Sequence, residues 1–456
     1  MLNFQLSDVV KWTFGTLRGE DVDILEVSTD SRKIGPGCLF IPLVGDRFDG
    51  HDFIATAIEN GAAAVLTHRA DETYAVPSVL VEDTRDALLD LAAGYRKRFD
   101  CPVVGVTGSV GKTTTKEMIW SVLSQRFDTL KTEGNLNNTV GLPLTTLRME
   151  PSTEAAVLEM GMSGFGEIAA MAYAAQPNLA VITNIGTSHI EFLGSREGIC
   201  EAKMEILRTL PVRRGIAVLN GDEPLLWDKR EELRCAAVWF GRENPECEVG
   251  AVDIVCENDG VSFTLLWPEG ETGCRINVPG IHNVTNALSA AACGWLLGLD
   301  GDEIAAGLDA FRPVGHRQKL FEQNGFTIYE DCYNASPDSM EAALAVLRDL
   351  PNGRKIAVLG GMGELGAYAI EGHRRAGKAV VGAADALYLY GANSEFIGQG
   401  AAEVGFAKEK IYAFSDHASL AAALRADAQA GDALLFKGSR VMKMEQALGL
   451  FLGEEV

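Results

Sequence analysis

The residues with the strongest chemical signature form a glycine-containing loop at 108–113, with the sequence Gly-Ser-Val-Gly-Lys-Thr. An apolar run precedes the loop and a helical pattern follows it, which predicts a strand, a phosphate-binding loop and a helix in succession. Glycine lets backbone N–H groups turn toward an anion, and the N-terminus of a helix adds positive potential. Lys112 supplies a point charge, and the Thr113 hydroxyl is placed to bind magnesium. The loop is therefore predicted to hold the phosphates of ATP through Gly108, Ser109, Val110, Gly111, Lys112, Thr113 and Thr114.

One position of the loop departs from the strict phosphate-loop pattern. Val106 stands where that pattern has glycine, and Gly105 and Gly108 lie on either side of it. The alternative interpretation is a loop that only turns the chain. The succession of strand, loop and helix favours phosphate binding.

Polar side chains follow the next two predicted strands. Glu159 ends the apolar run 155–159, and His189 follows the run 179–183. Because the carboxyl ends of parallel strands meet at one edge of a sheet, a carboxylate there is placed to hold magnesium beside the triphosphate. A histidine in a loop is also compatible with a structural or surface role. Lys203 lies on a predicted helix, and the residue pattern alone indicates a solvent-exposed lysine.

The elements that must position these side chains fall into three blocks, predicted as domains at 1–100, 101–314 and 315–456. The first block alternates short extended segments with turns, which indicates a smaller α/β domain. The second block repeats strand, loop and helix, which is typical of a parallel sheet with helices on both faces. The third block repeats the same alternation and predicts a Rossmann-like α/β domain. The fold class is therefore α/β.

Composition excludes several classes of partner. The 456 residues include 40 basic and 63 acidic residues, a net charge of -23, which would repel nucleic acid and anionic lipid. The nine cysteines contain no CxxC pair, which indicates reduced thiols. The N-terminus lacks the pattern of a signal peptide, and no apolar stretch reaches the ~20 residues that span a bilayer. We therefore expect a soluble cytoplasmic enzyme that does not insert stably into membranes.

A second glycine motif, Gly361-Met-Gly-Glu-Leu-Gly366, follows the predicted strand 355–359 and matches the dinucleotide-binding pattern. That pattern requires an acidic residue at the end of the next strand to hold the ribose. Asp385 has about the right spacing but precedes its strand, 386–390, so it would lie at the wrong edge. The sequence therefore predicts a tight packing turn here and argues against an NAD-dependent dehydrogenase.

A nucleotide-dependent switch is a second alternative, because a phosphate loop alone allows it. That interpretation leaves the first block and the His316-Arg317 pair without a purpose.

Taken together, the motifs resemble the Mur ligases of peptidoglycan synthesis along the whole chain. The matching segments are Ser28-Thr-Asp-Ser-Arg-Lys, Asp49-Gly-His-Asp-Phe, Thr107-Gly-Ser-Val-Gly-Lys-Thr, Glu133-Gly-Asn-Leu-Asn-Asn-Thr-Val-Gly-Leu-Pro, Leu158-Glu-Met-Gly-Met, His282-Asn-Val-Thr-Asn-Ala, Gly315-His-Arg-Gln, Asp331-Cys-Tyr-Asn-Ala-Ser-Pro-Asp-Ser-Met and Lys437-Gly-Ser-Arg. The doubled asparagine, the Tyr-Asn-Ala-Ser-Pro-Asp-Ser run and Lys-Gly-Ser-Arg point to the branch that adds D-alanyl-D-alanine.

The resemblance implies three domains, which bind the UDP-sugar peptide, ATP and the incoming amine. It implies that ATP activates the tripeptide carboxylate of UDP-N-acetylmuramoyl-tripeptide as an acyl phosphate, which the amine of D-alanyl-D-alanine then attacks. Magnesium is the implied metal ion, and cell-wall biogenesis, with its roles in cell shape and division, is the implied process. Diaminopimelate and lysine are both compatible with the third residue of the peptide.

The resemblance also implies roles for individual residues. Lys112 and Arg317 would neutralise charge during phosphoryl transfer, and Thr113, Glu159, His189 and a carbamylated Lys203 would hold magnesium. The positions implied for the nucleotide are His282, Asn283, Asn286, Arg317 and Asp331. The positions implied for the other substrates are Ser31, Arg32, Asn137, Asn138, Thr139, Asn334, Ser336, Lys437, Ser439 and Arg440. Ser336 followed by proline is equally typical of a helix start, so a structural role stays open for that segment.

Overall fold

The computed structural model describes residues 4–45, 47–351 and 353–454. Contacts divide the chain into two compact units. The first unit comprises residues 1–107, 127–181 and 204–217, and the second comprises residues 108–126, 182–203 and 218–456.

The N-terminal region is a small α/β structure. Its elements are β1 (Phe4–Gln5), α1 (Leu6–Thr13), β2 (Thr16–Arg18), β3 (Asp23–Ile24), β4 (Glu26–Ser28), β5 (Cys38–Phe40), α2 (Ile54–Glu59), β6 (Ala62–Thr67), β7 (Ser78–Leu80) and α3 (Thr84–Arg96). Five strands form a sheet of order β2-β7-β6-β5-β4, in which only the β2–β7 pair is antiparallel. Asp83 begins α3 by accepting hydrogen bonds from the N–H groups of Arg85 and Asp86.

The central region carries the predicted phosphate loop. Its strands are β8 (Val103–Thr107), β9 (Thr129–Lys131), β10 (Ala155–Glu159), β11 (Leu179–Ile182), β12 (Ile216–Asn220), β13 (Ala236–Phe240), β14 (Gly250–Cys256), β15 (Val261–Trp267) and β16 (Gly270–Ile276). Its helices are α4 (Lys112–Leu123), α5 (Gly141–Thr146), α6 (Glu167–Ala175), α7 (Ile190–Leu193), α8 (Arg196–Met204), α9 (Pro224–Trp227), α10 (His282–Leu296) and α11 (Gly301–Ala310).

The strands β8 to β13 form one sheet of order β13-β12-β11-β8-β10-β9. In the first unit, β10 pairs in parallel with both β8 and β9. Every residue of β8, β10 and β11 is buried, which explains why their sequences are continuous apolar runs and not alternating ones. The predicted run 155–159 coincides with β10. The sheet puts Thr107 and Glu159 at the carboxyl ends of neighbouring strands. The strands that precede Glu159 and His189, β10 and β11, are not neighbours as expected, because β8 lies between them.

The C-terminal region contains a second six-stranded sheet. Its elements are β17 (Lys319–Gln323), β18 (Phe326–Asp331), α12 (Pro337–Asp349), β19 (Lys355–Gly360), α13 (Ala369–Lys378), β20 (Ala386–Tyr390), α14 (Ser394–Glu403), β21 (Ile411–Phe414), α15 (His417–Asp427), β22 (Ala433–Lys437) and α16 (Met444–Leu452). The strand order is β17-β18-β22-β19-β20-β21, and only β17 runs antiparallel. Two apolar clusters cover its faces. Leu435 belongs to one cluster, and its neighbours Leu434 and Phe436 belong to the other.

Several strands were absent from the sequence prediction, among them β9, β13 and β21. The three-stranded antiparallel sheet β14-β15-β16 lies within the block that was interpreted as purely parallel. Its strands carry charged and polar residues on an exposed face, so their apolar pattern is short and interrupted. The edge strand β17 was missed for the same reason.

No helix within the described ranges is both long enough and apolar enough to cross a bilayer.

Candidate nucleotide and acceptor sites

The phosphate loop joins β8 to α4 and depends on its two glycines. Gly111 has φ of 80° at the N-terminus of α4, and Gly108 has φ of 155°. A Cβ atom at Gly108 would collide with the Thr183 hydroxyl oxygen. A Cβ atom at Gly111 would lie 2.8 Å from Asn286 Oδ1. The loop therefore needs glycine both for its backbone conformation and for space.

Asn184 holds the loop and was missed by sequence reasoning. Its Oδ1 accepts hydrogen bonds from the N–H groups of Ser109 (3.2 Å) and Val110 (3.0 Å), and its Nδ2 donates to the Val110 carbonyl (3.1 Å). The Thr183 hydroxyl donates to the same carbonyl at 2.8 Å. Two of the loop amides expected to face phosphate thus donate within the protein. The signal in the sequence was the pair Thr183-Asn184 at the end of the apolar run that forms β11. In the sheet, β11 lies next to β8, the strand that leads into the loop.

Lys112 points into the loop that it belongs to. Its Nζ donates to the carbonyl oxygens of Gly108 (2.8 Å) and Ser109 (3.3 Å). These are contacts that a phosphate group would compete for, since an ammonium prefers an anion to a neutral carbonyl. The lysine is only partly buried, so its charge is available at the loop surface.

Lys203 is buried, and the expectation of a solvent-exposed lysine was wrong. Only 1% of the residue is exposed, on the inner face of α8 beside Ile199 and Cys200. Burial lowers the pKa of Lys203 well below its usual value, and the nearby Lys112 charge lowers it further. In the described part of the chain no carboxylate pairs with it. The helical pattern predicted the exposure of Lys203 wrongly because a charged residue on an otherwise apolar helix face is normally assigned to the solvent-exposed side.

A chain of amide side chains connects the loop helix to α10. The Thr115 hydroxyl donates to Asn286 Oδ1 at 3.2 Å, and Asn286 Nδ2 donates to Asn283 Oδ1 at 3.1 Å. Asn283 Nδ2 in turn donates to Gln318 Oε1 at 2.6 Å. Gln318 Oε1 also lies 3.2 Å from His282 Nε2. The predicted nucleotide residues of α10 are therefore brought together by these bonds.

Gln318 belongs to the Gly315-His-Arg-Gln segment, but the sequence indicated no role for it. Its Nε2 donates to the Thr114 hydroxyl at 3.4 Å, and its N–H donates to Asp331 Oδ1 at 3.3 Å. Its backbone has φ of 48°, an uncommon conformation for glutamine. Gln318 thus connects α4, α10 and β18.

Arg317 lies beside the start of α4. It lines a narrow cavity together with Thr113, Thr114 and Glu117. Its guanidinium carbon lies 3.7 Å from the centre of the Tyr333 ring, a cation–π contact that restrains the side chain. The structure therefore brings the predicted arginine to the phosphate loop.

Asp331 and Lys437 pair with each other. The Lys437 ammonium contacts the Asp331 carboxylate and donates to the Asn334 carbonyl at 3.0 Å, and 1% of Lys437 is exposed. A buried lysine must be paired, and these partners satisfy it. The hydrogen bonds of Lys437 are thus made within the protein, whereas the family resemblance implied that it contacts substrate.

In the first unit, Glu159 ends β10 with one carboxylate oxygen bonded and the other orphaned. Asn137 Nδ2 donates to Oε1 at 2.7 Å, and 1% of Glu159 is exposed. Among the described residues Oε2 has no hydrogen-bond partner. A buried, unpaired carboxylate oxygen is costly unless a cation or donor occupies its vicinity, so Glu159 fits a magnesium ligand.

The neighbours of Asn137 have different environments. Asn138 Oδ1 accepts hydrogen bonds from the N–H groups of Val140 (3.1 Å) and Gly141 (2.8 Å), so it caps α5. Thr139 is half-buried in the same turn. Of the doubled asparagine, the first supports Glu159 and the second starts a helix.

His189 follows β11 with φ of 64°. Its Nδ1 lies 2.7 Å from Oε2 of Glu364, which belongs to the second glycine motif. The contact with His189, and the nearby Lys112 charge, lower the pKa of Glu364 below its usual value. Sequence reasoning gave Glu364 no role, since the motif was interpreted only as a turn.

A small cavity lies next to this pair. Its lining includes His189, Glu364 and the four predicted substrate residues Asn334, Ser336, Ser439 and Arg440. The Ser336 hydroxyl accepts from Ser339 N–H at 3.4 Å at the start of α12, which confirms its capping role.

The other serine and the arginine of that set lie on the segment after β22. The Ser439 hydroxyl donates to the Gly361 carbonyl at 2.9 Å. Arg440 pairs with Glu445 at 2.7 Å, and 60% of its side chain is exposed. The residues that were expected to bind the amine therefore border one cavity, with a carboxylate and a guanidinium in its lining.

A larger cavity of about 600 Å³ lies in the first unit. Ser28, Asp30, Lys33 and Arg148 contribute polar groups to its lining. The predicted Ser31 and Arg32 are not in this lining. Arg32 pairs with Asp30 at 2.8 Å, with 85% of its side chain exposed, and the Ser31 carbonyl accepts from Asn60 Nδ2 at 2.9 Å.

The motif Asp49-Gly-His lies in the same unit and forms a self-contained network. Asp49 Oδ1 accepts from His51 Nδ1 at 2.7 Å, and Asp49 Oδ2 accepts from Arg69 at 2.8 Å. His51 Nε2 accepts from His68 N–H at 3.4 Å. The three side chains Asp49, His51 and His68 are grouped closely enough for a metal ion, but Asp49 and His51 already have hydrogen-bond partners, and Arg69 supplies the positive charge. The network therefore stabilises the turn after residue 48.

The second glycine motif packs tightly, as predicted. A Cβ atom at Gly361 would collide with the Ala392 carbonyl oxygen. Asp385 Oδ2 accepts from Lys355 N–H at 2.8 Å, at the amino end of β19. That is the edge opposite to the one where a dinucleotide ribose would bind, so the argument against a dehydrogenase is confirmed.

Comparison with known proteins gives the same family for all three regions. The Mur ligase family catalytic domain matches residues 23–96, the Mur ligase middle domain matches 106–294, and the Mur ligase glutamate ligase domain matches 316–440. The UDP-N-acetylmuramoyl-tripeptide–D-alanyl-D-alanine ligase of Bacillus subtilis is 41% identical over 448 residues, covering 97% of this chain and 96% of that protein.

Solved structures agree. The crystal structure of MurF from Acinetobacter baumannii is similar with a TM-score of 0.93 and 31% identity, covering 100% of both chains. The MurF ligase from Thermotoga maritima, solved in complex with ADP, has a TM-score of 0.85 and 32% identity, covering 94% of this chain and 97% of that one. This chain therefore belongs to the Mur ligase family, as both its sequence and its three-domain α/β fold show.

Proposed function

We propose that this chain is an ATP-dependent ligase that joins D-alanyl-D-alanine to the terminal carboxylate of UDP-N-acetylmuramoyl-tripeptide. The observation that carries this proposal is similarity along the whole chain, at 41% identity, to a relative named for that reaction. The glycine loop with Lys112 supports it, since the reaction consumes ATP. The products would be UDP-N-acetylmuramoyl-pentapeptide, ADP and phosphate.

In the first step a carboxylate oxygen of the tripeptide attacks the γ-phosphorus of ATP, and the bond to the bridging oxygen of ADP breaks. Two anions must approach each other, so positive charge has to be in place beforehand. Lys112 at the loop and Arg317 beside Thr113 are the side chains that provide it. The stack on Tyr333 restricts Arg317 and reduces the entropy lost when it binds phosphate.

Magnesium, when bound, would offset negative charge on the phosphates. Thr113, Glu159, His189 and Lys203 are the residues that would hold it. The orphaned Oε2 of Glu159 fits that role. Lys203 fits it only as a carbamate, because an ammonium would repel the ion. Carbamylation requires a neutral amine, and burial favours the neutral form of Lys203.

In the second step the amine nitrogen of D-alanyl-D-alanine attacks the acyl carbon, phosphate leaves, and the nitrogen loses a proton. The cavity bordered by Asn334, Ser439 and Arg440 is where we expect this substrate. We expect the UDP-sugar peptide at the cavity of the first unit and at Asn137 and Thr139. The domain assignment that accompanies these roles is 1–100, 101–314 and 315–456, and the expected compartment is the cytoplasm.

The test is product formation by the purified chain. ATP, magnesium, D-alanyl-D-alanine and UDP-N-acetylmuramoyl-tripeptide with either diaminopimelate or lysine are combined, and pentapeptide and phosphate are measured. We expect stoichiometric pentapeptide and phosphate with one of the two peptides, and no phosphate when either the peptide or the dipeptide is omitted. Phosphate release without any pentapeptide would contradict the proposal.

A further inference from the structure

The loop Gly361–Gly366 presents a carboxylate where a packing turn needs none. Glu364 has φ of 60°, a left-handed conformation that glycine or asparagine adopts at lower cost. Its side chain is 53% exposed, so burial does not explain the residue either. A strained, exposed glutamate that borders a cavity is an observation that calls for a functional reason.

The loop around Glu364 is held rigidly. His373 Nε2 accepts from Met362 N–H at 2.8 Å, and His373 Nδ1 donates to the Ala369 carbonyl at 2.6 Å. On the other side, Ser439 N–H donates to the Gly361 carbonyl at 3.1 Å. The start of the loop that carries Glu364 therefore has a fixed backbone, which helps to position the residue for recognition of a small ligand.

The cavity beside Glu364 carries opposite charges. Glu364 lines it together with Arg440, and Ser439 and Asn334 lie in the same lining. His189 contacts one oxygen of the Glu364 carboxylate, and Glu445 contacts one nitrogen of Arg440, so both groups retain bonding capacity. An ammonium and a carboxylate on one short ligand match this arrangement. D-alanyl-D-alanine is such a zwitterion near neutral pH.

We propose that Glu364 binds the ammonium group of the incoming dipeptide, with Arg440 on the carboxylate side, so that Glu364 determines specificity for a free amine. This inference rests on the proposed ligase function and adds a residue to it. Because Glu364 also contacts His189, the alternative is that it acts only by orienting that histidine for phosphoryl transfer. The two roles affect different half-reactions.

The experiment compares the full-length wild type with Glu364→Gln. KM and kcat are measured for each substrate, and acyl-phosphate formation is measured without dipeptide by trapping with hydroxylamine. We expect KM for D-alanyl-D-alanine to rise by about tenfold or more in Glu364→Gln, in line with the loss of a charged hydrogen-bond partner. Hydroxamate formation and the KM values for ATP and UDP-peptide should stay within about twofold, since those steps do not involve the ammonium.

A ligand that lacks the ammonium group but keeps the carboxylate sharpens the result. D-lactoyl-D-alanine has a hydroxyl in place of the ammonium, and its inhibition constant is compared with the KM of the dipeptide. The wild type should favour the dipeptide by about tenfold or more, and Glu364→Gln should reduce this preference to within about threefold. Glu371→Gln, which removes an exposed carboxylate nearby on α13, is the matched control and should behave as wild type.

Two results would overturn the proposal. One is a fall in hydroxamate formation that parallels the fall in turnover while KM for the dipeptide stays unchanged, which would assign Glu364 to His189. The other is unchanged preference for the ammonium ligand in a folded Glu364→Gln, checked by thermal unfolding. Absence of pentapeptide in the wild type would instead refute the ligase function, so the two failures are distinguishable.

Discussion

The two glycine loops of this chain occupy similar places in two different sheets and have different properties. The loop at 108–113 follows β8 and runs straight into the helix α4. The loop at 361–366 follows β19, but it reaches its helix α13 only after a further turn at Gly366–Tyr368. The first loop therefore ends directly at the N-terminus of an α-helix, whereas a short 3-10 turn separates the second loop from its α-helix.

The side chains within the loops reinforce this difference. Lys112 gives the first loop a positive charge, and Glu364 gives the second a negative one. A carboxylate at that position would repel a dinucleotide pyrophosphate. Spacing of glycines alone thus describes a backbone turn, and the charge carried on the turn decides which ligand it can bind.

The largest expected effect comes from the charge on the first loop. Lys112→Ala should reduce turnover by about 100-fold or more, in line with the loss of one positioned electrostatic group. Pentapeptide formation at saturating ATP measures it. The variant should fold, because alanine is favourable at the first position of a helix. Turnover near the wild-type value would remove the first loop from catalysis.

Lys203 should have the next largest effect. If Lys203 acts as a carbamate, Lys203→Ala and Lys203→Arg should both lose about 10- to 100-fold in turnover, although arginine keeps the positive charge. Acetate added to Lys203→Ala should restore part of the activity by placing a carboxylate in the vacated space. Activity in Lys203→Arg close to wild type would show that a cation suffices there.

A Cβ atom added to the second loop tests whether it is a packing turn. Gly361→Ala should lower the free energy of unfolding by about 1–3 kcal/mol, because the methyl group would collide with the Ala392 carbonyl. Urea denaturation measures the loss, and ATP affinity should be unchanged. Gly273→Ala is the matched control, since no atom lies within 4 Å of the new Cβ there and the backbone of Gly273 does not have a positive φ.

Much of the architecture could be predicted because buried parallel strands have an obvious apolar signature. The runs that became β10 and β20 were predicted with the correct bounds. The sheet β14-β15-β16 could not be predicted in this way, since one of its faces is exposed and polar. Local pattern identifies elements that are buried on both sides far better than those that are half-exposed.

Site residues could be predicted where a single short segment of the sequence carries the whole motif. Lys112 and Thr113 could be assigned from spacing, but Asn184 and Gln318 act through contacts with residues far away in sequence. Lys203 was misjudged for the same reason, because its burial depends on tertiary packing. No role could be predicted for Glu364, because the glycine motif specifies only its glycines and leaves the residue at position 364 open.

The smallest expected effect is a pH dependence of the second loop. His373 accepts a hydrogen bond at Nε2, so it must be neutral, and burial lowers its pKa below the usual 6.5. The unfolded chain therefore takes up the proton first, and stability should fall as pH drops below about 6.5. Comparison of urea unfolding at pH 7.5 and 5.5 should show a smaller loss in His373→Gln than in wild type. Equal losses in the two proteins would indicate that His373 does not titrate in this way.

The central claim is that the first loop serves activation of the carboxylate and the second serves the incoming amine. The most direct test is to measure hydroxamate and pentapeptide formation side by side in wild type, Lys112→Ala and Glu364→Gln. We expect Lys112→Ala to lose both products, whereas Glu364→Gln should keep hydroxamate formation and lose pentapeptide only at low dipeptide concentration. Equal loss of hydroxamate in the two variants, or its survival in Lys112→Ala, would contradict it.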